Sequence, residues 1–121
     1  MARQNFGGFG GGNMQQLMRQ AQKMQQKIAQ MQEQMNATQE AVEAQEFTAS
    51  VGGGVVEAKV NGKKELLSIQ IKPEAVDPED VEMLQDLVVS AVNEALRQAG
   101  DAMEQGMNQV TNGLNLGMFG L

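Results

Sequence analysis

Arg19, Lys23 and Lys27 stand at i, i+4 and i+8 within MQQLMRQAQKMQQKIAQMQEQM, residues 14–35. On a helix this spacing draws one stripe of fixed positive charge. Such a stripe can neutralise a row of phosphates, and it is equally compatible with a solvated helix face. Arg3 upstream, and Lys63 and Lys64 beside Asn61-Gly62, are the cations that could join it. The densest acidic group, Glu79, Asp80, Glu82 and Asp86, could hold or move protons. Its place at a helix start is sufficient explanation, because carboxylates suit the positive end of the helix dipole. Gly52-Gly53-Gly54 lacks the Lys-Ser/Thr pair of a phosphate loop and reads as a turn. With no Cys and no His, neither a disulfide framework nor a thiolate or imidazole metal site is available. No catalytic residue, metal, cofactor or small-molecule substrate is expected, and the chain does not read as an enzyme.

The elements that must position the stripe follow from the period of the apolar residues. Met14, Leu17, Ala21, Met24, Ile28, Met31, Met35, Thr38 and Val42 alternate steps of three and four, a heptad seam with one polar member. The seam predicts a helix over 13–45, about 48 Å long at ~1.5 Å per residue. Residues 1–12, with FGGFGGG, predict a disordered Gly/Phe arm. Strands are predicted at 47–51, 55–60 and 64–72, with Asn61-Gly62 as a tight hairpin turn whose residues both take positive φ. Leu67, Ile69 and Ile71 alternate with polar residues, so one face of a three-stranded antiparallel meander should be buried. A second helix is predicted over 78–106, capped by Asp77 with Pro78 at its first position. The Gly-punctuated residues 108–121 read as a tail, leaving 13–107 as the single domain. The fold class is α+β, with order α-β-β-β-α.

The net charge of −6 is unevenly spread. Residues 1–32 carry four cations and no acid, whereas residues 74–121 carry nine acids and only Arg97. A basic end and an acidic end therefore share one small protein. No apolar run is long enough for a membrane span, no signal-peptide core is present, and a reduced cytoplasm is the expected compartment.

Six-residue strands span about 20 Å, less than half the first helix. A sheet and one partner helix cannot cover the whole seam, and an uncovered stripe of Met, Leu and Ile is a liability in water. A second copy is the simplest cover, so a homodimer is expected. Its interface would draw on Leu17, Met24, Ile28, Met31, Met35, Leu67, Ile69, Ile71, Leu87 and Val88. An alternative is a dimeric scaffold whose Met-rich helices form a groove for another protein.

GGGVVEAKVNGKKELLSIQI, followed by VDPEDVEMLQDLVVSAVNEAL, resembles the YbaB/EbfC family of bacterial nucleoid-associated proteins. The matching pieces are Gly52–Gly54, Val60–Gly62, Leu66–Ile71 and Asp77–Asp80, with the Met-Gln pattern of Met14–Gln25 upstream. Asn112-Gly113-Leu114 departs from a Gly-Gly-Leu usual in the family. The resemblance spans about residues 14–114. It implies a tweezer-like homodimer with the first helices projecting as prongs, double-stranded DNA as partner, and a place in the nucleoid. Contacts would go mostly to phosphates, through Arg19, Lys23 and Lys27 with Arg3, Lys63 and Lys64, and sequence preference would be weak.

Overall fold

A computed structural model describes the backbone of residues 2–119 and the side chains of residues 13–113. Helix α1 (Ala2–Glu43) leads into strands β1 (Glu46–Val51), β2 (Val56–Asn61) and β3 (Leu66–Ile71). A 3-10 turn (Pro73–Ala75) follows, then helix α2 (Val81–Phe119). The sheet is an antiparallel meander in the order β1-β2-β3, so the α-β-β-β-α architecture expected from the sequence is the one observed.

Both helices overrun their predicted ends. Helix α1 starts at Ala2 and has 42 residues, about 63 Å in length. The Gly/Phe stretch expected as a disordered arm is helical in its backbone. Extending an existing helix gains one hydrogen bond per residue with no new nucleus, and Gly costs only about 1 kcal/mol at each step. Helix α2 continues through Gly100, Gly106, Gly113 and Gly117 to Phe119, so most of the predicted tail is helix. It has a neighbour to lie on. A Cβ placed on Gly106 would stand 2.7 Å from Thr38 Cγ2, and Val110 is buried. Thr38, the polar break in the seam, thus sits at a close approach of the two helices.

Helix α2 also starts later than predicted. Asp77 Oδ1 accepts from the Glu79 amide at 3.0 Å, and the Asp80 amide donates to the Asp77 carbonyl at 3.0 Å. Asp77-Pro78-Glu79-Asp80 is a β-turn with Pro at its second position, as favourable a place for Pro as a helix start. The cap is Asp80, whose Oδ1 accepts from the Met83 amide at 3.2 Å.

The β2–β3 turn is longer than the two-residue hairpin read from Asn-Gly. Asn61 Oδ1 accepts from the amides of Lys63 (2.9 Å) and Glu65 (3.0 Å), and positive φ falls on Lys64 rather than on Asn61 or Gly62. Gly62 is needed for space. Its Cβ would fall on the Val42 carbonyl at the end of α1, and its amide donates to the Gln45 carbonyl at 3.2 Å. Gly52, Gly53 and Gly54 all take positive φ, a run that only glycine adopts cheaply.

The register puts Phe47, Ala49 and Val51 beside Val60, Ala58 and Val56, and Ala58 and Val56 beside Ile69 and Ile71. Helix α2 lies on this face, with Ala91, Ala95 and Ala99 buried against β1 and β2. Their small side chains bring helix and sheet close. No buried residue among those described is larger than Val. The predicted burial of the β3 column is therefore not met within one chain. Leu67, Ile69 and Ile71 remain exposed, because α2 is one helix wide and packs over β1 and β2. Leu87 and Val88, expected at a dimer interface, are half-buried against their own core.

Two stability measurements test these details. Gly62→Ala should cost more than ~2 kcal/mol in chemical denaturation, since helix and hairpin must separate. Gly53→Ala, with open space around it, should cost only the ~1–2 kcal/mol of a left-handed backbone. Asp80→Ala should cost ~1 kcal/mol and Asp77→Ala clearly less; the reverse order would return the cap to Asp77.

Candidate nucleic-acid interface

The seam of α1 divides into two parts. Val42 is buried and Thr38, Met35 and Met31 are half-buried, whereas Ile28, Met24, Leu17 and Met14 are exposed. Antiparallel packing accounts for the division. Gly62 and the Lys64 side chain at Gly100 mark the hairpin end of the helix pair, and Gly106 opposite Thr38 lies farther along. Phe119, thirteen residues past Gly106, falls near residue 25 of α1. Helix α1 therefore continues beyond α2 as a single rod of about 34 Å.

Arg19 and Lys23 lie on this rod and Lys27 lies at its root. All three are exposed and on one stripe about 12 Å long, two steps of ~6 Å. The structure brings them together as the sequence implied. It does not add Lys63 and Lys64, which sit at the hairpin near the other end of the described seam. Lys63 lines a cleft of about 310 Å³ with Glu40, Glu43 and Glu65. Lys64 Cε and Nζ lie 3.8 Å from the Cβ position of Gly100, so this side chain lies along α2. From Val42 to Lys23 is about 28 Å along the helix. Arg3 is in the first turn of α1, and its side chain is outside the described residues.

The acids are held on the body. Arg97, the one cation of α2, donates to Glu94 Oε2 at 2.9 Å and to Asp101 Oδ2 at 2.7 Å. Its guanidinium holds the Glu94 carboxyl below the usual carboxylate range, chiefly through that hydrogen bond. The same bond raises Arg97 above its ordinary value. Glu82 and Asp86 line an open cleft of about 340 Å³ with Asp80, Met83, Leu87 and Ser90. Negative charge is thus concentrated along α2 and its approach, and the cations of α1 occupy the projecting rod and its root. Two contributions escaped the sequence reading. Arg97 is neutralised by its own helix, and α2 reaches far enough to decide which cations stand clear. The i−3 and i+4 acids around Arg97 could have shown the first; nothing in the Gly-rich end of α2 announces the second.

Among the described residues there is no group of three or more acidic side chains arranged to hold a metal ion, and no helix long and apolar enough to cross a membrane.

Comparison with known proteins agrees with this architecture. A nucleoid-associated protein of Clostridium acetobutylicum is 53% identical over 116 residues, covering 96% of this chain and 97% of that protein. One of Alkaliphilus metalliredigens is 52% identical over 121 residues, covering 98% and 100%. The crystal structure of an uncharacterized protein from Helicobacter pylori superposes with a TM-score of 0.54 at 26% identity, over 64% of this chain and 90% of that one. The profile of the YbaB/EbfC DNA-binding family matches residues 26–114. Its span takes in the root of the rod, the sheet and most of α2, and with relatives this similar over their full length, the chain belongs to the YbaB/EbfC DNA-binding family.

Proposed function

We propose that the protein is a homodimeric nucleoid-associated protein that binds double-stranded DNA through the exposed rod of α1. The observation that carries this reading is the placement of Arg19, Lys23 and Lys27 on a part of α1 that neither the sheet nor most of α2 flanks. Family membership and the names of the relatives support DNA as the partner. Phosphate contact dominates. The stripe holds only Lys and Arg, and the neighbouring Gln side chains read adenine edges only if the rod enters the major groove. A net charge of −6 per chain opposes approach to DNA, which leaves modest affinity, and the acidic body turns away from the duplex. Lys63 and Lys64 are left out of this surface because the hairpin and the rod lie at opposite ends of the helix pair. The work of such a protein is in the cytoplasm, on the nucleoid.

A second copy supplies what the monomer core lacks. The column Leu67, Ile69 and Ile71 is exposed, and it flanks the face that α2 already occupies. The α2 helix of an identical chain fits it, and the two-fold relation repeats the contact on the other side. Val81 and Val89, both more than half exposed on α2, are available for this contact.

Two measurements test the proposal. In a mobility-shift assay the protein should show a salt slope of about −5, for six cations in two copies. Replacing Arg19, Lys23 and Lys27 together by Ala should abolish the shift and leave the dimer intact; unchanged binding removes the stripe from the account. Ile69→Lys should give a folded monomer by circular dichroism and sedimentation. A variant that still sediments as a dimer moves the interface away from β3.

A further inference from the structure

The rod is one helix thick. With its side chains a helix is about 10–12 Å across, and the major groove of B-DNA is about 12 Å wide. The helix pair behind the rod, with axes about 8–10 Å apart, is too broad to enter. The part of α1 that fits a groove is therefore the part before about residue 25, where α2 ends on the seam side. On the side away from the seam this part presents a row. Gln15, Arg19, Gln22 and Gln26 follow one another in steps of four, three and four, and all are exposed. At 3.6 residues per turn, the three Gln stand about 20–60° from Arg19 on one side, and Lys23 about 40° on the other. The row is about 17 Å long, the rise of about five base pairs.

Helix stability does not explain this composition. A solvated helix gains from acids at its N-terminal end and from acid–base pairs four residues apart. Helix α1 has no acid in its first turn and none before Glu33. Uncharged Gln takes the places between the cations. Such a surface suits a position between two rows of phosphates, where a carboxylate is repelled and an amide is not.

We propose that Gln15 and Gln22 read adenine edges in the major groove. A Gln amide matches adenine there: Oε1 accepts from the N6 amino group and Nε2 donates to N7. Arg19, between the two, and Lys23, beside them, keep the phosphate contacts that hold the rod in place. This deepens the DNA reading above and rests on it. Phosphates supply most of the affinity, and the two amides supply the preference for adenine.

Two duplexes of one A·T-rich sequence test this, one of them with every adenine replaced by 7-deazaadenine. They differ in the N7 acceptor and keep the same phosphates and base pairing. In a mobility-shift assay at one fixed salt concentration, the wild-type protein should bind the unmodified duplex roughly fivefold or more tighter. Gln15→Ala with Gln22→Ala should bind both duplexes alike, at the wild-type affinity for the modified one. Gln20→Ala with Gln25→Ala, about 100° or more from Arg19 and beside the seam, should discriminate as the wild type does. All four Gln are exposed, and Ala favours helix, so both variants keep the fold. Equal binding of the two duplexes by the wild type, or full discrimination by the Gln15 and Gln22 variant, overturns the base reading and leaves the DNA reading standing. Equal loss of discrimination in both variants overturns the assignment to the row. Absence of a shift with either duplex overturns the DNA reading, and the base reading with it.

Discussion

The single chain can bury only small side chains, and the rest of the structure follows from that limit. Alanine lines the helix–sheet contact at Ala49, Ala58, Ala91, Ala95 and Ala99, and the two largest fully buried side chains are Val56 and Val60. Phe47, Leu84, Leu87 and Leu96 are half-buried against this contact, and the other large apolar residues are exposed on β3, on the flank of α2 and along the rod of α1. A core of alanine and valine contributes little transfer free energy, at roughly 25 cal/mol per Å² buried. Leucine, isoleucine and methionine in water are a standing drive to associate. The surfaces that would be defects in a monomer are, on this account, where copies meet.

Charge is arranged around the same limit. The acids cluster on α2 and near the hairpin, and Arg97 is tied to Glu94 and Asp101 on its own helix. Arg19 and Lys23 stand on the rod, away from the hairpin and from the start of α2. An acidic protein can therefore approach a polyanion by one end. Distance assists, because the hairpin end is separated from Lys23 by several Debye lengths at physiological salt.

Much of this was legible in the residues. The change of apolar period from 3.5 to 2 and back marked helix, meander and helix, and the strand boundaries came out within two residues. The stripe was visible because i, i+4 spacing has one geometric meaning on a helix. What was hidden depends on contacts between elements distant in sequence. Helix α2 runs past four glycines because α1 lies beside it. Asp77 lost the cap to Asp80 because Pro78 serves a turn as well as a helix start. Gly62 reads as a turn glycine, and it is one, but the deciding constraint is the Val42 carbonyl, twenty residues upstream. The alternation in β3 announced a covered face, whereas Leu67, Ile69 and Ile71 are exposed in the single chain. Lys63 and Lys64 read as cations that could join the stripe because sequence alone does not say which way a hairpin tip faces.

The mass of the unmodified protein at micromolar concentration, measured by light scattering after size exclusion, tests the central claim most directly. The account predicts a particle of twice the 13.1 kDa chain, with no lone chains as the sample is diluted through the low micromolar range. A compact 13.1 kDa monomer with its β3 column stably in water would contradict it.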